Sequence, residues 1–200
     1  MDSQDQDQSQ SQNEDQDPAA DPQSQPDAAA NQFVIAFAPY FEVQKKSQWS
    51  WITVAVMLGN FYNTGLLKNG KATKWTQEEV ITRCMGTANL NVAGSPDRSM
   101  NVTMVYSPLN SGNASVAQSL GTIRAQIRTK SPVVVGWGTP QGDQLGNPKY
   151  IVVYGYSGDN WFYADPSKNN VTKNAPLPIP KTGKLVTKVV YSRNPALRMR

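Results

Sequence analysis

The longest apolar stretch of the chain has the period of a helix and follows directly on a polar run. After Ser50, its apolar residues occupy positions i, i+3, i+4, i+7 and i+10, namely Trp51, Val54, Ala55, Leu58 and Phe61. This spacing aligns them on one face of an α-helix. The sequence therefore predicts a helix from about Ser50 that buries one stripe of side chains.

Two further helices are predicted downstream. Thr76-Gln77-Glu78-Glu79 has the sequence of a capping box and predicts a short helix to about Cys84. Ser115–Arg128 has a helical period, with apolar residues at Val116, Leu120, Ile123 and Ile127. Residues 86–114 are rich in Gly, Asn, Ser and Pro, so we expect a loop there with one short extended piece at Met104–Tyr106.

The last third of the chain alternates strand-like segments with turn signals. Four strands are predicted: Val133–Trp137, Tyr150–Tyr156, Asn160–Ala164 and Leu185–Tyr191. Between the second and third strands, Ser157-Gly158-Asp159-Asn160 is expected to supply the positive φ angles of a tight hairpin. Helices followed by antiparallel strands indicate an α+β fold with the presumed site between the two parts.

The composition changes sharply near residue 31. Residues 1–31 are built mainly of Asp, Gln, Ser, Ala and Pro, and contain almost no large apolar side chain. Such a segment cannot bury enough surface to offset a backbone entropy of roughly 1–2 kcal/mol per residue. We therefore predict a disordered acidic tail at 1–31 and one folded domain at 32–200.

The tail and the domain carry opposite charge. The tail holds eight of the fifteen acidic residues and none of the nineteen basic ones, which leaves +12 on residues 32–200. Three interpretations of these charges are open: the tail folds back on the basic surface, the basic surface binds nucleic acid or an acidic membrane, or the charges serve solubility. We favour solubility. The sequence does not favour nucleic acid as a partner, because the basic residues are scattered and no binding motif is present.

The sequence does not indicate a membrane protein, a protein with a Sec-type signal peptide, or a protein that binds a metal or cofactor. No membrane span is expected, since Trp51–Leu58 is far shorter than the roughly 20 residues needed. No Sec-type signal peptide is visible at the N-terminus, so the expected location is the cytoplasm or an exported state reached without a signal peptide. With no His and a single Cys, Cys84, which we interpret as a buried apolar residue, neither a metal nor another cofactor is predicted.

Candidate chemistry centres on Ser50, at the first turn of the predicted helix. Unpaired backbone N–H groups and the positive end of the helix dipole favour negative charge there. Gln44, six residues upstream, has an amide donor that is able to reach the same point. Taken singly, Ser50 is better explained as a favourable first-turn residue and Gln44 as a surface amide.

The order of residues around Ser50 resembles that of a known enzyme family. Gln44, five intervening residues, Ser50 and Trp51 are similar to the nucleophile region of papain-like cysteine peptidases, where a Cys opens a long apolar helix; Trp49-Ser50-Trp51 resembles the bacterial W-C-W type. Later parts of the pattern follow in order over Phe41–Pro166: a helix, the strand at Pro132–Val135, the Gly-rich loop at Gly136–Gly146, the strand at Pro148–Tyr156, and Tyr163–Pro166.

The resemblance implies a papain-like α+β fold and assigns four site positions. Ser50 replaces the catalytic Cys, Lys149 occupies the position of the catalytic His, Asp165 matches the residue that orients it, and Gln44 matches the oxyanion donor. A serine needs a base to lose its proton, and only a neutral Lys149 is available. Because Asp165 stabilises the ammonium form, we expect a Lys149–Asp165 ion pair and an inert site.

Three functions therefore stand open. The first is a catalytically inactive homologue, a pseudopeptidase, that binds a peptide or protein partner in the former substrate cleft. The second is a serine-type hydrolase or acyltransferase that uses Ser50 and Lys149, and the third is a structural or assembly component. For a cleft, the candidate contact residues are Trp49, Trp51, Trp137 and Tyr150. The sequence gives no oligomeric state.

Overall fold

Helices come first along the chain and most of the strands follow. In a computed structural model, residues 31–68, 71–113, 116–141, 144–179 and 186–195 are described. The helices are α1 (Ser50–Phe61), α2 (Gln77–Met85), α3 (Pro96–Val102) and α4 (Val116–Arg128), with a short 3₁₀ turn at Ala38–Tyr40. The tail predicted at 1–31 lies outside the described residues apart from residue 31.

Nine strands lie within the described ranges. They are β1 (Gln32–Val34), β2 (Leu67–Lys68), β3 (Lys71–Ala72), β4 (Tyr106–Asn113), β5 (Val133–Gln141), β6 (Gln144–Ser157), β7 (Asn160–Ala164), β8 (Thr172–Ala175) and β9 (Val186–Ser192). None of the helices among the described residues is long and apolar enough to cross a membrane.

Seven of the strands form one antiparallel sheet. Its order is β4-β9-β5-β6-β7-β8, and β1 pairs with the end of β6. The apolar run of β5 lies at the centre, where Val134 pairs with Val152 of β6 on one side and with Val190 of β9 on the other. Helices packed on an antiparallel sheet confirm the α+β fold predicted from the order of elements.

The central helix α1 is buried on all sides. Every residue from Ser50 to Gly59 is buried, because α2, α3 and β6 all contact the helix. The prediction of a single buried stripe was therefore too narrow. The polar Thr53 is accommodated because its hydroxyl lies 2.9 Å from the Trp49 carbonyl and 3.1 Å from Gln77 Oε1.

Local signals predicted α2 and the β6–β7 hairpin correctly. Thr76 Oγ1 accepts from the Glu79 N–H, and Glu79 Oε2 accepts from the Thr76 N–H, so the capping box is present. Gly158 has φ +55° between β6 and β7, which is the conformation that the hairpin prediction required.

Two regions predicted to be loop are regular structure. Residues 86–114 contain helix α3 and strand β4, and α3 begins with a proline at Pro96, the favoured first position of a helix. The Gly-rich segment Gly136–Gly146 is also not a loop, because β5 extends to Gln141 and β6 starts at Gln144. Glycine content lowers strand propensity, but hydrogen bonding to the neighbouring strand prevails here.

The capping box gives a first test of the local structure. We expect Thr76→Ala to lower the free energy of unfolding by about 1 kcal/mol, because the substitution leaves a helix N-terminal N–H without its side-chain acceptor. Urea titration followed by circular dichroism measures the change. Thr82→Ala, at an exposed interior position of the same helix, is the matched control and should be neutral or slightly stabilising. Equal effects of the two substitutions would contradict the assigned cap.

Candidate active site

Ser50 lies where the start of α1 meets strand β6. It is the first residue of the helix and is 7% exposed. Its hydroxyl oxygen lies 3.5 Å from the carbonyl oxygen of Pro148, the residue before Lys149. Two segments 98 residues apart in sequence thus meet at this contact. The resemblance assigns the nucleophile position to Ser50 and the base position to Lys149, and the contact is made by the residue before Lys149.

Gln44 lies beside the turn that follows β7. Its backbone N–H donates to the Pro166 carbonyl at 2.9 Å, which attaches the segment before α1 to the residue after Asp165. The side-chain amide, however, donates to the Ser47 carbonyl at 2.8 Å. The amide therefore stabilises its own turn in this conformation and is not directed at Ser50.

The expected ion pair between Lys149 and Asp165 is not formed. Both residues are among those described, and no salt bridge joins them. The Asp165 carboxylate instead accepts from the Ser167 N–H at 2.9 Å and from the Ser167 hydroxyl at 2.7 Å. An Asp before Pro commonly closes a turn in this way. Lys149 is exposed, so its ammonium group remains hydrated without a carboxylate.

The single thiol is placed away from this junction, on α2. Cys84 is buried, and burial raises the pKa of its thiol, with the nearby Arg98 charge lowering it to a smaller extent. A raised pKa leaves little thiolate at neutral pH. The sequence contains no His that would act as its base, so Cys84 lacks the features of a reactive cysteine.

The two tryptophans that flank Ser50 anchor a loop. Trp49 Nε1 donates to the Leu90 carbonyl at 2.8 Å, and Trp51 Nε1 donates to the Val92 carbonyl at 3.0 Å. Both side chains are buried. The indoles thereby hold the segment between α2 and α3 against the start of α1.

Beside Ser50, a groove opens between this loop segment and the sheet. Its volume is about 720 Å³. Trp51, Pro148 and Tyr150 line it, so the groove reaches the residue that follows Ser50 in α1 and Pro148 on β6. The other lining residues come from α2, the segment leading into α3, the first turn of α3, the β5–β6 hairpin and β9: Met85, Ala93, Gly94, Ser95, Asp97, Arg98, Gln141, Leu145, Asn147 and Lys188.

Of the four aromatic residues proposed for a cleft, two lie on this groove. Trp51 and Tyr150 line it, whereas Trp49 and Trp137 do not. The Tyr150 ring lies over Gly136, where an added Cβ would come within 2.3 Å of the ring. Burial, together with the negative charge of Asp97, raises the pKa of the Tyr150 hydroxyl, which therefore stays protonated at neutral pH.

A polar cluster in the groove was not identified from the sequence. The Lys188 ammonium lies 2.5 Å from Asp97 Oδ2 and 2.9 Å from the Ser95 hydroxyl. Lys188 is more than ninety positions from both Ser95 and Asp97, so no local pattern relates it to them. The Ser95-Pro96-Asp97 sequence is a helix start signal and was the one local clue. Among the described residues, no group of three or more His, Cys, Asp or Glu is arranged to hold a metal ion.

The fold and the contact between α1 and the sheet together indicate a class of protein fold. A buried helix whose N-terminus meets the antiparallel sheet beside a groove is the papain-like arrangement that the resemblance implied. The family model described as papain-like cysteine protease AvrRpt2 matches residues 35–176, well over half of the chain. The chain belongs to this family. No curated protein matches it.

Gly94 provides a test of how closely the groove wall is packed. An added Cβ would lie 2.6 Å from the Trp51 indole, so Gly94→Ala must displace the ring or the loop. We expect a loss of about 1–3 kcal/mol in the free energy of unfolding, measured by urea titration.

Gly121→Ala is the matched control for this substitution. Gly121 lies within α4, and an added Cβ there meets no atom within 4 Å. The control should therefore stabilise the protein by about 0.5–1 kcal/mol, as alanine does in a helix. A neutral Gly94→Ala would contradict the close contact with Trp51.

Proposed function

We propose that this chain is a catalytically inactive papain-like peptidase homologue that binds a peptide or protein partner in the groove beside Ser50. One observation carries the proposal: the functional groups at the four proposed site positions, all within the described ranges, make no hydrogen bond or ion pair with one another. The Ser50 hydroxyl lies nearest to the Pro148 carbonyl, the Gln44 amide donates to Ser47, and the Asp165 carboxylate accepts from Ser167.

The chemistry of the substituted positions supports inactivity. A serine hydroxyl attacks a carbonyl only when a base within hydrogen-bond reach accepts its proton. The acceptor nearest to Ser50 is the Pro148 carbonyl, which is not a base, at a distance of 3.5 Å that is long for a hydrogen bond. Lys149 is exposed, and no hydrogen bond joins its side-chain nitrogen to the Ser50 hydroxyl.

The groove supports binding as the retained property. Its volume of about 720 Å³ lies within the range of roughly 300–1,000 Å³ typical of ligand sites. Its walls combine buried aromatic rings with charged groups, a combination found where binding is specific. The groove adjoins the Ser50–Pro148 contact, so a bound chain would pass the former site of cleavage.

One observation favours the alternative of a serine-type hydrolase or acyltransferase. Ser50 is at a helix N-terminus and lies against the residue that precedes Lys149. A change in the Lys149 rotamer and loss of its hydration would be needed to bring its amine to the hydroxyl as a neutral base, as in Ser–Lys dyads.

A single experiment distinguishes the proposed inactive homologue from the alternative serine-type enzyme. The purified full chain is incubated with pooled hexapeptides with blocked ends, and mass spectrometry identifies both the peptides retained by the protein and any cleavage products. We expect retained peptides, no products, and the same retained set for the Ser50→Ala variant. A serine-directed fluorophosphonate should not label Ser50.

Two outcomes would overturn the proposal. Cleavage products or fluorophosphonate labelling that disappear in both Ser50→Ala and Lys149→Ala would establish the Ser–Lys enzyme instead. Retention of no peptide at all would remove the binding function, whether or not the chain is inactive.

A further inference from the structure

The charges that line the groove do not balance. Its lining contains one carboxylate, Asp97, and two cations, Arg98 and Lys188. Asp97 Oδ2 is fully engaged, because it accepts from Lys188 at 2.5 Å and from the Ser95 hydroxyl at 3.1 Å. Its other oxygen, Oδ1, is buried and has no hydrogen-bond partner among the described residues. What the groove offers to an occupant is therefore positive charge.

Arg98 is the cation without an anionic partner. Its side chain is exposed at the groove, and among the described residues no carboxylate forms an ion pair with its guanidinium. The one hydrogen bond that its side chain makes within the described part of the chain joins Nη1 to the sulfur of Met85 at 3.4 Å. A guanidinium presents a planar set of donors that matches the two oxygens of a carboxylate.

Lys188 adds a second donor to the same space. Its ammonium has three N–H groups, and two of them are used by Asp97 and Ser95. The side chain is 16% exposed and lines the groove, so the third N–H is available to an acceptor there. Since Asp97 neutralises the Lys188 charge, Arg98 remains the main attraction for an anion.

The apolar walls define the rest of the occupant. Trp51, Met85 and Tyr150 line the groove around these donors. Such walls suit the aliphatic part of a side chain whose end is charged. A basic side chain fits poorly, because it would meet Arg98 and Lys188 with like charge. The +12 carried by residues 32–200 adds attraction for acidic partners at longer range.

We propose that the groove binds a Glu or Asp side chain of the partner peptide, with Arg98 receiving the carboxylate and Lys188 donating to it. This inference rests on the proposed function, because it names the chemistry of the peptide that the former substrate cleft holds. Arg98 is then a specificity-determining residue, and the Asp97–Lys188 pair positions the second donor.

Three pools of blocked hexapeptides test the inference. Each pool has Glu, Gln or Lys fixed at one position and random residues elsewhere, and biolayer interferometry measures its apparent affinity for the full chain. We expect the Glu pool to bind about tenfold more tightly than the Gln pool, as a charge-assisted pair allows. The Lys pool should bind more weakly than both.

Substitution of Arg98 tests whether the preference for acidic peptides arises in the groove. Arg98→Gln should reduce the ratio between the Glu and Gln pools to about one, while Arg83→Gln should leave it unchanged. Arg83 is the matched control because it is also an exposed arginine but lies on α2 outside the groove. Both positions are exposed, but the Arg83 guanidinium also lies 5.4 Å from the centre of the buried Trp75 ring, so circular dichroism must first show that both variants are folded.

The failures of the two proposals are distinguishable. Equal affinity of the three pools overturns the acidic preference but leaves peptide binding in place. An equal loss of preference in Arg98→Gln and Arg83→Gln also overturns it, because the cause is then the overall charge of the protein. If no pool binds, both the acidic preference and the proposed peptide binding are wrong.

Discussion

The rest of the structure depends on the burial of α1. Because the helix is enclosed by α2, α3 and β6, its first residue has a fixed position against the sheet. That constraint places the Ser50 hydroxyl at the Pro148 carbonyl and places Trp51 on the wall of the groove. A helix of mixed composition would not be held this way, since polar groups on several faces would have to leave the core.

The burial of α1 also explains why the groove does not depend on which residues occupy the proposed catalytic positions. The two indoles at the start of α1 anchor the loop that borders the groove, and Gly94 allows that loop to lie directly on the Trp51 ring. These contacts depend on packing and backbone carbonyls, not on a thiol or an imidazole. The groove therefore does not require a catalytic pair, and the proposed loss of catalysis would leave it in place.

Sequence reasoning succeeded where local chemistry determines structure. The capping box at Thr76, the Gly158 turn and the apolar run after Ser50 each specify an element by themselves. It failed at α3 and β4, because the residues between 86 and 114 favour turns on composition and are ordered by contacts with α1 and β9. The Asp97–Lys188 pair was not foreseeable, since only the sheet register of β9 brings Lys188 to the groove.

From the contact between the Ser50 hydroxyl and the carbonyl of Pro148, the residue before Lys149, we propose that the side chains at positions 50 and 149 can meet at the helix–sheet junction, and the functional account rests on this proposal. The most direct measurement compares Ser50→Cys with Ser50→Cys/Lys149→His, both in a Cys84→Ala background, by the rate of iodoacetamide alkylation at pH 6. A neighbouring imidazolium lowers the pKa of a thiol, so the account predicts that the double variant reacts on the order of tenfold faster. Equal rates for the two variants would show that the side chains do not meet and would contradict the account.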